Sequence, residues 1–197
     1  MSNDRKRLVI DTSIMCMVPS DMLARGKPRR ARDFLDNVLN ICHRCVATPS
    51  ITCEWDRPQE DGYETHLTAY AMNWRLEMTN LRKMILVPEP ERSDLREQIA
   101  DAVDDVGYRN NILKDVHLLE AALVTDKTVI SGDKTAKSAY RRLAKTIPCL
   151  GGIIWVNPLE EREQAVEWLK RGAPPEKERM LYFEKPRRLK KKKGGVS

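Results

Sequence analysis

Leu8-Val9-Ile10-Asp11-Thr12-Ser13 is the stretch on which the fold class of this chain turns. Three branched apolar residues in succession are too few for a helix and leave neither face polar, which is the pattern of a strand buried on both sides in a parallel sheet. An acid and two hydroxyl residues follow at once. In open α/β sheets, ligands sit in the crevice beyond the carboxyl ends of the strands, so Asp11 opens a candidate site. An isolated D-T-S would read as a helix cap, and only the acids met further along set this one apart.

Outward from that strand, short apolar runs alternate with amphipathic periods. Ile14 to Val18 begins a short helix that Pro19 interrupts, and Gly26-Lys27-Pro28 marks a loop. Ala31, Phe34, Leu35, Val38, Leu39 and Cys42 recur at three and four residues and predict a helix. A second strand, Cys45-Val46-Ala47, ends at Pro49-Ser50, after which Ile51-Thr52-Cys53-Glu54-Trp55 opens a helix broken at Pro58, with Glu54 close to a strand's carboxyl end. Tyr63, Leu67, Tyr70, Ala71, Trp74, Met78 and Leu81 keep helical spacing. Because the aromatic residues coincide with the apolar period, they read as core and not as a base-stacking platform. Ile85-Leu86-Val87 is a third strand. Leu95 to Val106 forms a helix that Gly107 terminates. Asn110 or Asn111 caps another, from Ile112 to about Leu123, whose first turn carries Asp115, a place where the helix dipole alone favours an acid. Thr128-Val129-Ile130-Ser131 is a fourth strand, with Gly132-Asp133-Lys134 at its carboxyl end and a helix from Thr135 to Lys145. Ile153-Ile154-Trp155-Val156 is a fifth, and Asn157-Pro158 starts a last helix to Arg171. One helix per strand predicts a parallel, doubly wound α/β sheet.

Composition narrows the class. The 197 residues suit one domain with appendages. Charged residues make up 32% and no apolar run approaches the roughly 20 residues of a membrane span, so the chain reads as a cytoplasmic protein with no membrane partner. Seven of its Lys and Arg residues lie in 185–197, a stretch without acids, so the formal charge of +6 becomes −1 for the rest. The basicity belongs to the tail, which reads as disordered and, in a eukaryote, as a nuclear address. Five cysteines cannot all pair and lie mostly in apolar segments, which fits reduced thiols. Cys42-His43-Arg44-Cys45 lacks a second ligand pair for zinc. His43, His66 and His117 are scattered, and His117, two residues past Asp115, points largely away from it on a continuous helix; all three read as structural or surface residues.

Asp11, Glu54, Asp115 and Asp133 each fall at a strand end or helix start on one edge of the sheet. Two carboxylates about 4 Å apart repel by roughly 4 kcal/mol at an effective dielectric near 20, so three or four together call for a cation or shared protons. Mg²⁺ and Mn²⁺ match such oxygen ligands. With D-T-S after the first strand, Glu54 in I-T-C-E-W, K-D-V-H-L-L-E-A-A-L around Asp115 and V-I-S-G-D around Asp133, the span from Leu8 to Pro158 resembles the PIN-domain nuclease family, which includes toxins of the VapC type. The resemblance implies a three-layer α/β/α fold with a central five-stranded parallel sheet, its first strand in the middle. It implies a nuclease-like domain over 1–171 followed by the basic tail 172–197. It implies a Mg²⁺- or Mn²⁺-dependent endoribonuclease using one or two ions, with Asp11, Asp115 and Asp133 as metal-binding acids and Glu54 as a looser match. Thr12, Ser13 and Ser131 match hydroxyls that steady those acids or their waters. RNA is the implied substrate; an antitoxin or other protein inhibitor and a homodimer are partners the family allows.

The chemistry of the residues agrees with that expectation. A metal ion makes bound water acidic enough to attack a phosphodiester, leaving a 5′-phosphate and a 3′-hydroxyl, whereas a metal-free ribonuclease would want paired histidines. Basic residues lie near each acid in sequence: Arg29 and Arg30 among others after the first strand, Arg57 after Glu54, Arg109 before Asp115 and Lys134 after Asp133. These, with Arg187, Arg188 and Lys190 of the tail, are candidates for phosphate contacts. Two other classes compete, a PIN-like scaffold that holds RNA or a protein without cutting, and a DNA or flap nuclease with the same metal chemistry.

Overall fold

The computed structural model describes residues 5–21, 23–57 and 67–183. Its centre is a sheet of five parallel strands: β1 (Arg7–Ile10), β2 (Arg44–Ala47), β3 (Met84–Leu86), β4 (Thr128–Ile130) and β5 (Ile154–Val156), in the order β3-β2-β1-β4-β5. The first strand is central, as expected, and Leu8, Val9 and Ile10 are wholly buried. Val9 pairs with Val46 on one side and Val129 on the other. Burial on both faces is what allows these strands to be apolar without alternation.

Helices cover the sheet in two layers, giving the three-layer α/β/α architecture of a PIN-like fold. After β1 come α1 (Thr12–Met15) and α2 (Lys27–Asn40); after β2, α3 (Pro49–Trp55) and α4 (Ala69–Asn80). After β3 come α5 (Ser93–Asp101), α6 (Val106–Lys114) and α7 (Val116–Leu123); after β4, α8 (Lys134–Leu143) and α9 (Pro148–Gly151); after β5, α10 (Ala165–Lys170). The α2 helix packs on α4 and α10, while α7 packs on β1, β4, α3 and α6, and α6 on α8. Among the described residues, no helix is long and apolar enough to cross a membrane.

Several helix boundaries differ from the sequence expectation. The α2 helix starts at Lys27, inside the expected loop, because Gly26 serves as its N-cap and Pro28 fits the first turn. The expected helix over Tyr63 to Leu81 is α4, which starts at Ala69 where the Thr68 hydroxyl accepts from the Ala71 amide; Tyr63 and His66 lie outside the described residues. Its aromatic stripe is core: Trp74 is 2% exposed and donates its indole N–H to Leu35 O at 2.8 Å. Gly107 ends nothing, since Asp105 caps α6 by accepting from the Tyr108 amide at 2.6 Å, in place of Asn110 or Asn111. The single helix expected across Asp115 is two helices, α6 and α7, broken at Asp115 itself (ψ 7°). In place of one last helix from Pro158, a short 3₁₀ turn at Glu161–Glu163 precedes α10.

The ordered body also runs past the expected end at Arg171. Residues after α10 return to the sheet, with Leu181 N donating to Ile153 O at 2.9 Å and Met180 making an antiparallel bridge to Ile154. Arg179 holds the return by pairing with Glu176 at 2.6 Å and Glu163 at 3.1 Å. Buried Ala173 and Leu181 supply the apolar contacts that the short helix cannot. All five cysteines are free; Cys45 is buried, and Cys53 is exposed although its segment is largely apolar.

Candidate active site at the carboxyl edge of the sheet

Asp11 stands one residue beyond β1, where its amide donates to Ile130 O at 2.9 Å and so ties the exits of β1 and β4 together. Its Oδ2 accepts from two hydroxyls, Ser13 Oγ and Ser131 Oγ, each at 2.6 Å. Those hydroxyls are in turn held by backbone amides, Gly132 N on Ser13 Oγ at 3.0 Å and Asp133 N on Ser131 Oγ at 3.1 Å. Each hydroxyl therefore has its proton aimed at Asp11 Oδ2, while Oδ1 accepts from the Ser13 amide at 3.4 Å, so that Asp11 also caps α1. Gly132 is closely approached, since a Cβ there would lie 2.6 Å from Leu159 Cδ1, which would have to move, and 3.4 Å from Ser13 Oγ. Asn157, past β5, braces the same loop with Nδ2 on Gly132 O at 3.2 Å.

The other acids arrive on separate elements. Glu54, in the last turn of α3 and not at its start, accepts from Thr12 Oγ1 at 3.1 Å and so sits beside the Asp11 loop. Asp133 caps α8, accepting from Ala136 N at 2.8 Å, and shares the Ser131 hydroxyl with Asp11. Asp115 occupies the break between α6 and α7 and makes no capping hydrogen bond with its side chain. It lines, with Asp133, a cavity of about 300 Å³ between α6 and α8, whose walls include Tyr108, Asn111, Lys114 and Tyr140.

The other three acids lie near enough for their charges to act on Asp115. Burial, then the charges of Asp11, Glu54 and Asp133, push the Asp115 carboxyl up to about 6. Burial raises Asp11 as well, against the opposing pull of Ser13 and Ser131. Glu54 moves the other way: burial would raise it, but His117, Thr12 and Arg57 together bring it below its ordinary value.

His117 is the residue whose place in the structure departs furthest from the sequence expectation. It is 4% exposed, and Nε2 lies 3.4 Å from Glu54 Oε2, within ionic reach but not aligned as a hydrogen bond. Burial lowers the imidazole, and the pull of Glu54 outweighs that, so the net shift is upward. Two residues along one helix would face away; across the break at Asp115 they do not. His43 is structural: both ring nitrogens are occupied, Nδ1 by Lys6 N at 3.2 Å and Nε2 by Leu169 O at 3.0 Å.

Of the five expected phosphate-binding cations among the described residues, four have partners within the protein. Arg30 donates to Leu159 O at 2.8 Å, and Arg109 closes the α5–α6 turn on Val103 O at 2.9 Å and Asp104 O at 3.2 Å. Arg29 pairs with Asp33 at 2.8 Å and Lys134 with Glu160 at 2.6 Å. Arg57 is exposed and its charge acts on Glu54. Arg187, Arg188 and Lys190 lie outside the described residues.

Among the described residues, no group of three or more His, Cys, Asp or Glu side chains is arranged to hold a metal ion as it stands. The donor set nevertheless suits a hard divalent cation, being carboxylates that repel one another, of which Asp115 makes no capping hydrogen bond that would compete for its oxygens. Comparison with models of known protein families finds no match, and comparison with curated proteins finds none either.

Proposed function

We propose that this protein is a divalent-metal-dependent endoribonuclease of the PIN-like kind, cutting single-stranded RNA to 5′-phosphate and 3′-hydroxyl ends. The observation that carries the reading is the convergence of four acids from four separate segments, of which Asp11 is held by a double serine relay. Such an arrangement is costly without a cation, because each added carboxylate raises the cost of ionising the next. Asp11, Asp115, Asp133 and Glu54 would hold Mg²⁺ or Mn²⁺, which when bound supplies positive charge to a phosphodiester and acidity to an attacking water. Ser13 and Ser131 orient Asp11, and Thr12 orients Glu54. The cavity lined by Tyr108 and Asn111 would take an unstacked base beside the acids. A reducing, cytoplasmic setting suits the five free thiols.

The acids are not closed around a common point, and this favours a second reading, a scaffold that binds RNA or a protein without cutting. Purified protein should cleave single-stranded RNA with Mn²⁺ or Mg²⁺, stop in EDTA, and lose at least about a hundredfold in rate as Asp11→Asn. Cleavage persisting in EDTA with cyclic phosphate ends overturns the metal mechanism. Binding without cleavage under all ion conditions decides for the scaffold.

A further inference from the structure

We propose that His117 Nε2 is itself a ligand at this site, beside Glu54, so that the site selects a transition-metal ion such as Mn²⁺ over Mg²⁺. The inference rests on the metal-binding reading above and adds to it a nitrogen donor and an order of preference among ions.

The tautomer follows from one contact. His117 Nδ1 lies 2.9 Å from Lys114 O, which can only accept, so Nδ1 carries a proton and the neutral ring presents a lone pair at Nε2. A ring whose other nitrogen donates to a backbone carbonyl is the usual posture of a metal-ligating histidine. Nε2 is buried and has no hydrogen-bond partner, which is rare for an imidazole 4% exposed. The polar atom it faces is Glu54 Oε2, at 3.4 Å. Two donors bound to one ion by bonds of about 2.0 to 2.2 Å lie about 3.0 to 3.4 Å apart, so the spacing of this pair is that of two ligands sharing a cation.

The pair is also held rigidly. Glu54 Oε2 is pinned by Thr12 Oγ1, and α7, which carries His117, packs on α3, which carries Glu54. An imidazole among carboxylates shifts preference toward first-row transition metals, whereas oxygen ligands alone suit Mg²⁺. The competing account makes His117 a fixed cation that neutralises Glu54. It predicts the opposite sign, because removing a positive charge would strengthen cation binding.

Calorimetric titration with Mn²⁺ and with Mg²⁺ at pH 8 separates the two accounts. In His117→Gln, Mn²⁺ affinity should fall by at least about tenfold while Mg²⁺ affinity changes by less than about threefold. Mn²⁺ affinity unchanged or raised in that variant overturns the proposal. Pulsed electron spin resonance on the wild type needs no substitution: bound Mn²⁺ should show nitrogen coupling, and its absence also overturns the proposal. Asp11→Asn is the control on the underlying reading. Failure of the wild type to bind either ion, or Mn²⁺ binding indifferent to Asp11→Asn, removes the metal site and the ligand with it, whereas loss of the nitrogen coupling alone removes only His117.

Discussion

Asp115 has a carboxyl pushed up to about 6 from an ordinary 3.8 by burial and by three other acids, and a stability effect of known sign follows. Well below pH 4 the group is protonated whether or not the chain is folded, and it contributes nothing. As pH rises, the unfolded chain ionises first, so the fold loses stability until pH passes about 6, above which the full cost of the buried charge persists. Asp115→Asn removes that cost. After discounting for partial exposure, the metal-free variant should be more stable at pH 7.5 by about 1 to 2 kcal/mol, with the gain gone well below pH 4. Thermal melts in EDTA across that range check it. A variant less stable by about 0.3 to 1 kcal/mol would mean that Asp115 serves only the α7 dipole. Asp11 and Asp133 could be placed at the sheet's carboxyl edge from sequence because Asp11 directly follows one apolar strand and Asp133 follows another by three residues. His117 was not, because the break at Asp115 involves neither Gly nor Pro, and Ile112, Val116, Leu119 and Leu123 keep their period straight across it.

At the scale of elements, α5 and α7 are joined by an ion pair that burial makes asymmetric. Glu120 on α7 is fully buried and receives Arg96 of α5 through two bonds, at 2.8 and 2.7 Å, while Arg96 itself is 47% exposed. Arg96→Met would leave a buried carboxylate without a partner, at a cost of about 3 kcal/mol in denaturant unfolding, and Glu120→Leu in the same chain should recover most of it. A loss under about 1 kcal/mol would show that water reaches Glu120. An acid amid an apolar helical run gives no sign in sequence of which basic residue answers it, as the partners are 24 residues apart. The strands, by contrast, were each located to within a residue or so, since short apolar runs bounded by turn residues admit little else.

For the whole molecule, the parallel sheet and its central first strand were legible from the alternation of periods and from the family resemblance. The chain's return after α10 was not, because Met180 and Leu181 form too short an apolar run to show a period. Deleting residues 184–197 removes seven Lys and Arg residues. RNA affinity should fall, and the slope of its logarithm against log salt should flatten by about 0.7 for each phosphate that the tail had neutralised. An unchanged slope in filter binding would take the tail out of substrate binding.

Deleting from residue 172 onward also strips the β5 edge of its Met180 bridge and of the Leu181 amide on Ile153 O, leaving backbone there unpaired. That shorter chain should grow past a pair with rising concentration in sedimentation, where the chain ending at 183 goes no further than two copies. The flank at β3 has no such cover among the described residues, and Leu86 there is 80% exposed. A sheet sealed on one flank can join a second copy only through the other, so strand pairing between native molecules stops at two. Opening the sealed flank turns a self-limiting pair into a chain that can grow from both ends.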